Sequence, residues 1–98
     1  MTRAATFHRL AESEFSEAAA YFERESPGLG AAFIDAVEVC VAGIVEFPES
    51  GPALVAGVRR QFVRRFPYSV LYTVRPDHIR IVVVMHAKRR PMYWIDRA

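Results

Sequence analysis

Nine residues near the C-terminus, His86-Ala87-Lys88-Arg89-Arg90-Pro91-Met92-Tyr93-Trp94, gather one imidazole, three cations and two aromatic side chains. A histidine can act as general acid or base, an arginine can stabilise a pentacovalent phosphate, and a tyrosine can move a proton or stack on a base. His86, Arg89 and Tyr93 would therefore suffice for metal-free RNA cleavage by attack of a 2′-hydroxyl. The structural alternative has Tyr93 and Trp94 closing the end of the core and His86 capping a sheet. Residue type favours that alternative for Trp94 and leaves His86 and Tyr93 open.

A second set of cations, Arg59, Arg60, Arg64 and Arg65, flanks an expected strand. With Lys88, Arg89 and Arg90 it could form one basic surface across adjacent strands. Such a surface suits phosphate backbones or a carboxylate-rich peptide; it would equally suit an exposed strand edge guarded by charge. The three histidines and one cysteine are scattered without ligand spacing, so neither a metal nor another cofactor is expected. There is no Gly-rich phosphate loop, and no serine stands in a nucleophile-elbow setting.

The elements that must position these residues are legible from periodicity. Thr6 to Leu10 alternates as a short strand, with Phe7 inward and His8 on its surface. From Ala11 to Glu25 the spacing becomes helical, with Ala11, Phe15, Ala18, Ala19 and Phe22 on one face and glutamates crowding the first turn. Ser26-Pro27-Gly28 stops that helix. A second helix is expected from Leu29 to Phe47, its stripe made by Phe33, Val37, Cys40, Ile44 and Phe47. Gly43 costs that helix roughly 1 kcal/mol against alanine, which close helix–helix approach would explain.

Pro48 ends the helix, and Glu49 to Gly57 reads as loop. Val58 to Phe66 reads as a strand with a bulge. Tyr68 to Val74 and Ile79 to His86 are further strands, joined by the tight Arg75-Pro76-Asp77-His78 connection. The order is β-α-α-β-β-β, an α+β fold in which a small antiparallel sheet covers the apolar face of a helical hairpin.

At 98 residues the chain suits one domain, residues 1–98, and its 52% hydrophobic and 24% charged composition argues against disorder. No apolar run reaches the ~20 residues of a membrane span. Met-Thr-Arg-Ala-Ala-Thr lacks a signal core. Cys40, alone, excludes an intrachain disulfide and reads as a small core residue. A cytoplasmic location is expected. Residues 1–58 hold nine acids and three basic residues, a net −6, whereas 59–98 hold ten basic residues and two acids, a net +8. This split points either to a polyanion or acidic partner for the C-terminal half, or to an acidic helical half docked on a basic sheet half.

Taken in order, several pieces resemble the RelE/ParE superfamily of type II toxin–antitoxin toxins over nearly the whole length. They are Ala18-Ala19-Ala20-Tyr21-Phe22, Phe47-Pro48-Glu49-Ser50-Gly51, Val58-Arg59-Arg60, Arg64-Arg65-Phe66-Pro67-Tyr68, Leu71-Tyr72 and His86 to Trp94. The resemblance implies a growth inhibitor neutralised by a small cognate antitoxin that wraps around it. RelE-like members cleave mRNA on the ribosome, using basic residues of the central strands plus an arginine and a tyrosine near the C-terminus. ParE-like members inhibit DNA gyrase without that set. Arg89 and Tyr93 match the C-terminal pair, with His86 as a third candidate. Ser69 and Phe62, however, stand where a nuclease would commonly carry basic residues. The Phe-Pro-Tyr and Arg-Pro-x-Tyr-Trp endings look more like the ParE side.

The resemblance thus implies a gyrase-binding toxin as the leading function. The alternatives are a ribosome-dependent mRNA endoribonuclease and an inactive relative that only binds antitoxin. The residues implied for target or antitoxin binding are Arg59, Arg60, Arg64, Arg65, Lys88, Arg89, Arg90, Tyr93 and Trp94.

Overall fold

The computed structural model describes residues 4–97. Strand β1 (Ala4–Phe7) leads into helices α1 (Arg9–Glu25) and α2 (Leu29–Glu46). Strands β2 (Val58–Phe62), β3 (Tyr68–Val74) and β4 (His78–His86) follow, and a 3-10 turn at Ile95–Arg97 closes the described chain. The α+β order is the one expected, but the sheet is mixed. Its strand order is β1-β4-β3-β2, with β1 parallel to β4 and the other neighbours antiparallel. Two tight connections make β2, β3 and β4 a meander, so β4 runs in the direction of β2. The helical crossover lets β1 take that same direction on the far side of β4.

The first boundary lies earlier than expected. His8 is the N-cap of α1, its Nδ1 accepting the N–H of Leu10 at 3.1 Å, so Arg9 and Leu10 belong to the helix and the strand ends at Phe7. At the other end, Glu23 reaches across the turn. Its carboxylate accepts the N–H groups of Gly28 (3.1 and 3.0 Å) and Gly30 (3.0 Å), supplying the α2 start with the acceptor that its own N-cap, Gly28, lacks.

In α2, Phe33, Val37 and Ile44 are fully buried as the stripe requires. Phe47 is not: it is the C-cap, its backbone leaves helical geometry, and its ring is 63% exposed. The close helix approach belongs to Gly30 rather than Gly43. A Cβ on Gly30 would sit 2.6 Å from the Ala19 carbonyl oxygen, whereas one on Gly43 would meet nothing within 4 Å.

Strand β2 stops at Phe62, because the N–H of Val63 turns to the Tyr68 carbonyl and Arg65 takes a left-handed φ of 72°. The bulge expected in β2 lies in β4 instead. Leu71 faces Val83 and Tyr72 faces Ile81, so Val82 is the extra residue. Part of the outer edge of β2 is covered by the preceding loop through Arg60 N–H to Pro52 (3.1 Å) and Leu54 N–H to Val58 (2.8 Å).

Both faces of the sheet are covered. Against the helices pack Val70, Tyr72, Ile79, Ile81 and Val84, with a ring cluster in which Phe33 lies 5.0 Å from Phe22, 5.1 Å from Phe66 and 4.9 Å from Tyr68. On the opposite face Val58, Leu71, Val82 and Val83 are sealed by Trp94, which is 2% exposed, with Tyr93 and Met85 beside it. Burial of a ring this size contributes roughly 4–6 kcal/mol before entropic costs. Among the described residues no helix is long and apolar enough to cross a membrane.

Candidate functional site

His86, Arg89 and Tyr93 do meet. They line one groove of about 570 Å3 with Glu14, Glu17 and Tyr21 of α1 and Tyr68 of β3. His86 ends β4 opposite Tyr68, the two rings edge to face at 5.2 Å. Its Nδ1 accepts the N–H of Lys88 at 2.9 Å, which starts the turn that brings the chain back. The Arg89 guanidinium lies over the Tyr93 ring at 4.0 Å.

The position of Tyr93 is set by a residue that local sequence does not flag. Its hydroxyl donates to Glu14 Oε2 at 2.7 Å. The same carboxylate accepts Arg97 Nη1 and Nη2, each at 2.9 Å, and the Val84 N–H at 3.1 Å. Beyond Ile81 the β4 edge has no β1 partner, so Glu14 replaces the missing strand at Val84. Arg97 Nη1 also donates to the Val82 carbonyl at 3.2 Å. Burial, followed by the hydrogen bond and charge of Glu14, pushes the Tyr93 phenol well above its ordinary pKa. The Glu14 hydrogen bond likewise raises Arg97. Tyr93 is thus held as a neutral donor, and the fork of Arg97 on Glu14 ties the C-terminal segment to α1.

The remaining candidates divide among several places. Arg59 turns to the preceding loop, donating to the carbonyls of Glu49 (3.1 Å) and Gly51 (2.8 Å). Tyr72 holds the same loop, donating to Pro48 at 2.8 Å and accepting from Gly51 at 3.2 Å. Arg60 lies over the Phe62 ring at 4.8 Å and lines a groove on the opposite sheet face together with Arg89. Arg64 and Arg65 face Asp35 of α2 across a shallow depression. Lys88 and Arg90 are exposed in the turn after β4, and Trp94 is core.

Two positions bear on chemistry. Ser69 is 6% exposed in the middle of the sheet, between Phe62 and Met85, and Phe62 is 64% exposed. Neither offers a cation. Phe62 joins Val39 (66% exposed) and Phe47 (63% exposed) around a groove of about 320 Å3 between α2 and β2. Cys40 lines it too, its thiol pushed up to about 11 by burial. Among the described residues no three His, Cys, Asp or Glu side chains cluster to hold a metal ion.

Glu14 had one available signal. It falls three residues after Ala11 and four before Ala18, on the apolar face of α1, where a carboxylate needs a partner. Nothing local names Arg97, whose guanidinium belongs to the last turn of the described chain.

Comparison with known proteins gives a family match and likenesses among solved structures. Residues 5–91 match the family described as ParE toxin of type II toxin-antitoxin system, parDE. Among solved structures, the chain is similar to one titled "Chromosomal ParDE TA system from P. aeruginosa", at 18% identity and a TM-score of 0.76, covering 87% of this chain and 96% of that chain. At that identity the likeness is one of fold. No curated protein sequence matches.

Proposed function

The chain belongs to the ParE family of toxins of type II toxin–antitoxin systems, and on that premise we propose that it arrests growth in the cytoplasm by binding DNA gyrase and is held inactive by a cognate antitoxin. This is a binding function, with no bond made or broken by the toxin itself. The observation that carries it is Tyr93. Its hydroxyl is engaged by Glu14 with a raised pKa, so a proton-transfer role would require breaking the contact that anchors the C-terminal segment. Ser69 and Phe62 add to this, since neither supplies the positive charge a cleaved phosphate needs. The exposed Val39, Phe47 and Phe62 offer apolar area of the kind partners cover. In a supercoiling assay with purified gyrase, the chain should inhibit in a dose-dependent way. Full supercoiling at high excess of folded protein would remove this reading.

One observation favours the nuclease alternative: His86 and Arg89 share a groove with Tyr93. On that reading, primer extension on translated mRNA gives discrete cuts that Arg89→Ala abolishes. Growth arrest without such cuts excludes it. Failure to arrest growth at all, in the absence of antitoxin, marks the chain as an inert relative.

A further inference from the structure

Helix α2 has two apolar faces, and the fold covers only one. Phe33, Val37 and Ile44 lie in the core. Ala32, Ala36, Val39 and Gly43 recur at helical spacing on another face, and the C-cap Phe47 continues it. That second stripe is half-buried or exposed along its length, and Phe62 extends it from β2. Gly43 is a further sign. Glycine weakens a helix, yet a Cβ there would meet nothing within 4 Å, so no neighbour inside the chain requires the gap. Charge is confined to the flanks. Asp35 and Glu46 border the stripe on the side away from β2, as the helical repeat dictates. Arg64 and Arg65 stand on the other side, facing Asp35 across a depression floored by Ala32, Ala36 and Val39. Asp35 and Arg64 form no ion pair with each other.

Three occupants can be compared on that chemistry. A nucleic acid would meet the Asp35 and Glu46 carboxylates, which repel phosphate. A strongly charged segment of another protein gains little from rims of opposite sign, because what one rim attracts the other repels. A second copy brings the same apolar stripe and both signs. Gly43 and the two alanines let the α2 axes approach closely, at the short end of helix packing distances. Asp35 and Arg64 line one depression, at one level of the helix and on opposite sides of the stripe. A two-fold axis running along the stripe therefore sets Arg64 of each copy over the partner's Asp35. We propose that this stripe is the contact between two copies of the chain, α2 against α2 about such an axis. One helix face and Phe62 make a small contact, so the dimer is weak, with a dissociation constant of ~10–100 µM. The inference does not depend on which target the toxin binds.

The test is sedimentation equilibrium of the purified full chain, at concentrations from about tenfold below to about tenfold above that constant. Wild type should pass from monomer to dimer across the range; a monomer throughout overturns the proposal. Val39→Lys places a charge in the seam at an exposed site, and should weaken association by about tenfold or more with unchanged far-UV dichroism. Gly43→Ala should weaken it about threefold or more without lowering the melting temperature of the dilute monomer. A purely internal role for Gly43 would not give that combination. The charge pair is tested by exchange. Asp35→Arg and Arg64→Glu should each weaken self-association by about tenfold or more, since each homodimer sets like charges together. Mixed in equal amounts they should dimerise near wild-type strength, because both contacts are then restored. A mixture no stronger than either variant alone, or wild-type association in Val39→Lys and Gly43→Ala, overturns the arrangement. So does a Val39→Lys variant that still dimerises but loses antitoxin binding, which would give the stripe to the antitoxin. Association of the chain alone needs neither gyrase nor antitoxin, so its outcome is read separately from that of the toxin–antitoxin reading.

Discussion

Replacing Glu14 by alanine should unhook the C-terminal segment from the rest of the molecule. The carboxylate accepts from Val84 N–H, from the Tyr93 hydroxyl and from both terminal nitrogens of Arg97. Hydrogen bonds to a charged group are worth about 1.5–3 kcal/mol each, but they cannot all be lost in full. Arg97 keeps its contact with the Val82 carbonyl, and Tyr93 can turn toward water. Removing one partner of a buried ion pair costs about 3–5 kcal/mol. The side chains here are 12% (Arg97) and 17% (Glu14) exposed, which places the pair near the lower end of that range, about 3 kcal/mol. That is a large share of the ~5–15 kcal/mol that holds a domain of this kind together. Much of the loss comes from leaving a cation without its anion, so Glu14→Leu with Arg97→Met should cost about 2 kcal/mol less than the sum of the single changes.

The assay is urea denaturation followed by far-UV dichroism for the whole fold and by fluorescence of Trp94, the only tryptophan. In Glu14→Ala the fluorescence transition should precede the dichroism transition, because the segment that buries Trp94 is released first. A loss below about 1 kcal/mol, coincident transitions, or additivity of the pair would refute the view that this carboxylate anchors the segment.

Three further perturbations test the packing. Phe33→Ala should cost about 3–5 kcal/mol, whereas Phe47→Ala should stay within about 1 kcal/mol, since one ring is fully buried and the other 63% exposed; equal losses in denaturation would contradict the assignment. Gly43→Ala should stabilise by up to ~1 kcal/mol because its Cβ meets nothing, while Gly30→Ala should destabilise by roughly 1–3 kcal/mol because its Cβ would strike the Ala19 carbonyl; melting temperatures that move in the same direction would refute this. The His8 pKa is held below 6.5, first by burial and then by the charges of Arg80, Arg97 and Arg9, and its Nδ1 must stay unprotonated to accept from Leu10. The unfolded chain therefore binds more protons near that pH, so the stability His8 contributes is present above 6.5 and lost as pH falls through its lowered value. His8→Asn keeps a cap but removes the titration, and should flatten the change in unfolding free energy between about pH 7.5 and about pH 5; an unchanged slope would exclude His8 as its source.

The element order was legible because the helices bury one face each and the strands are short apolar runs bounded by turn residues. The Phe33–Val37–Ile44 stripe requires a helix, and the limits of β3 follow from alternation between Tyr68 and Val74. Boundaries failed where a rarer device ended the element. Histidine is an unusual N-cap, so His8 reads as strand, and a left-handed Arg65 hides the early end of β2. Strand order was not legible, because whether β1 joins β4 or β2 depends on partners far along the chain. Gly43 drew attention by its place in a helix, yet only three-dimensional contact distinguishes it from Gly30. At the candidate site, His86, Arg89 and Tyr93 are close in sequence and line one groove. Sequence reasoning missed Glu14 and Arg97, which define what Tyr93 can do, because their contact spans most of the chain.

The most direct test of the binding account is the supercoiling assay, run with wild-type chain and with Tyr93→Phe. Phenylalanine keeps the ring under Arg89 but removes the hydroxyl, leaving Glu14 to Arg97 and Val84. If the protein acts by occupying gyrase, both proteins should block supercoiling at comparable concentrations, and growth arrest should persist in the variant. Normal supercoiling by gyrase in excess folded wild-type chain, with arrest in cells that disappears in Tyr93→Phe and tracks mRNA cleavage, would contradict it.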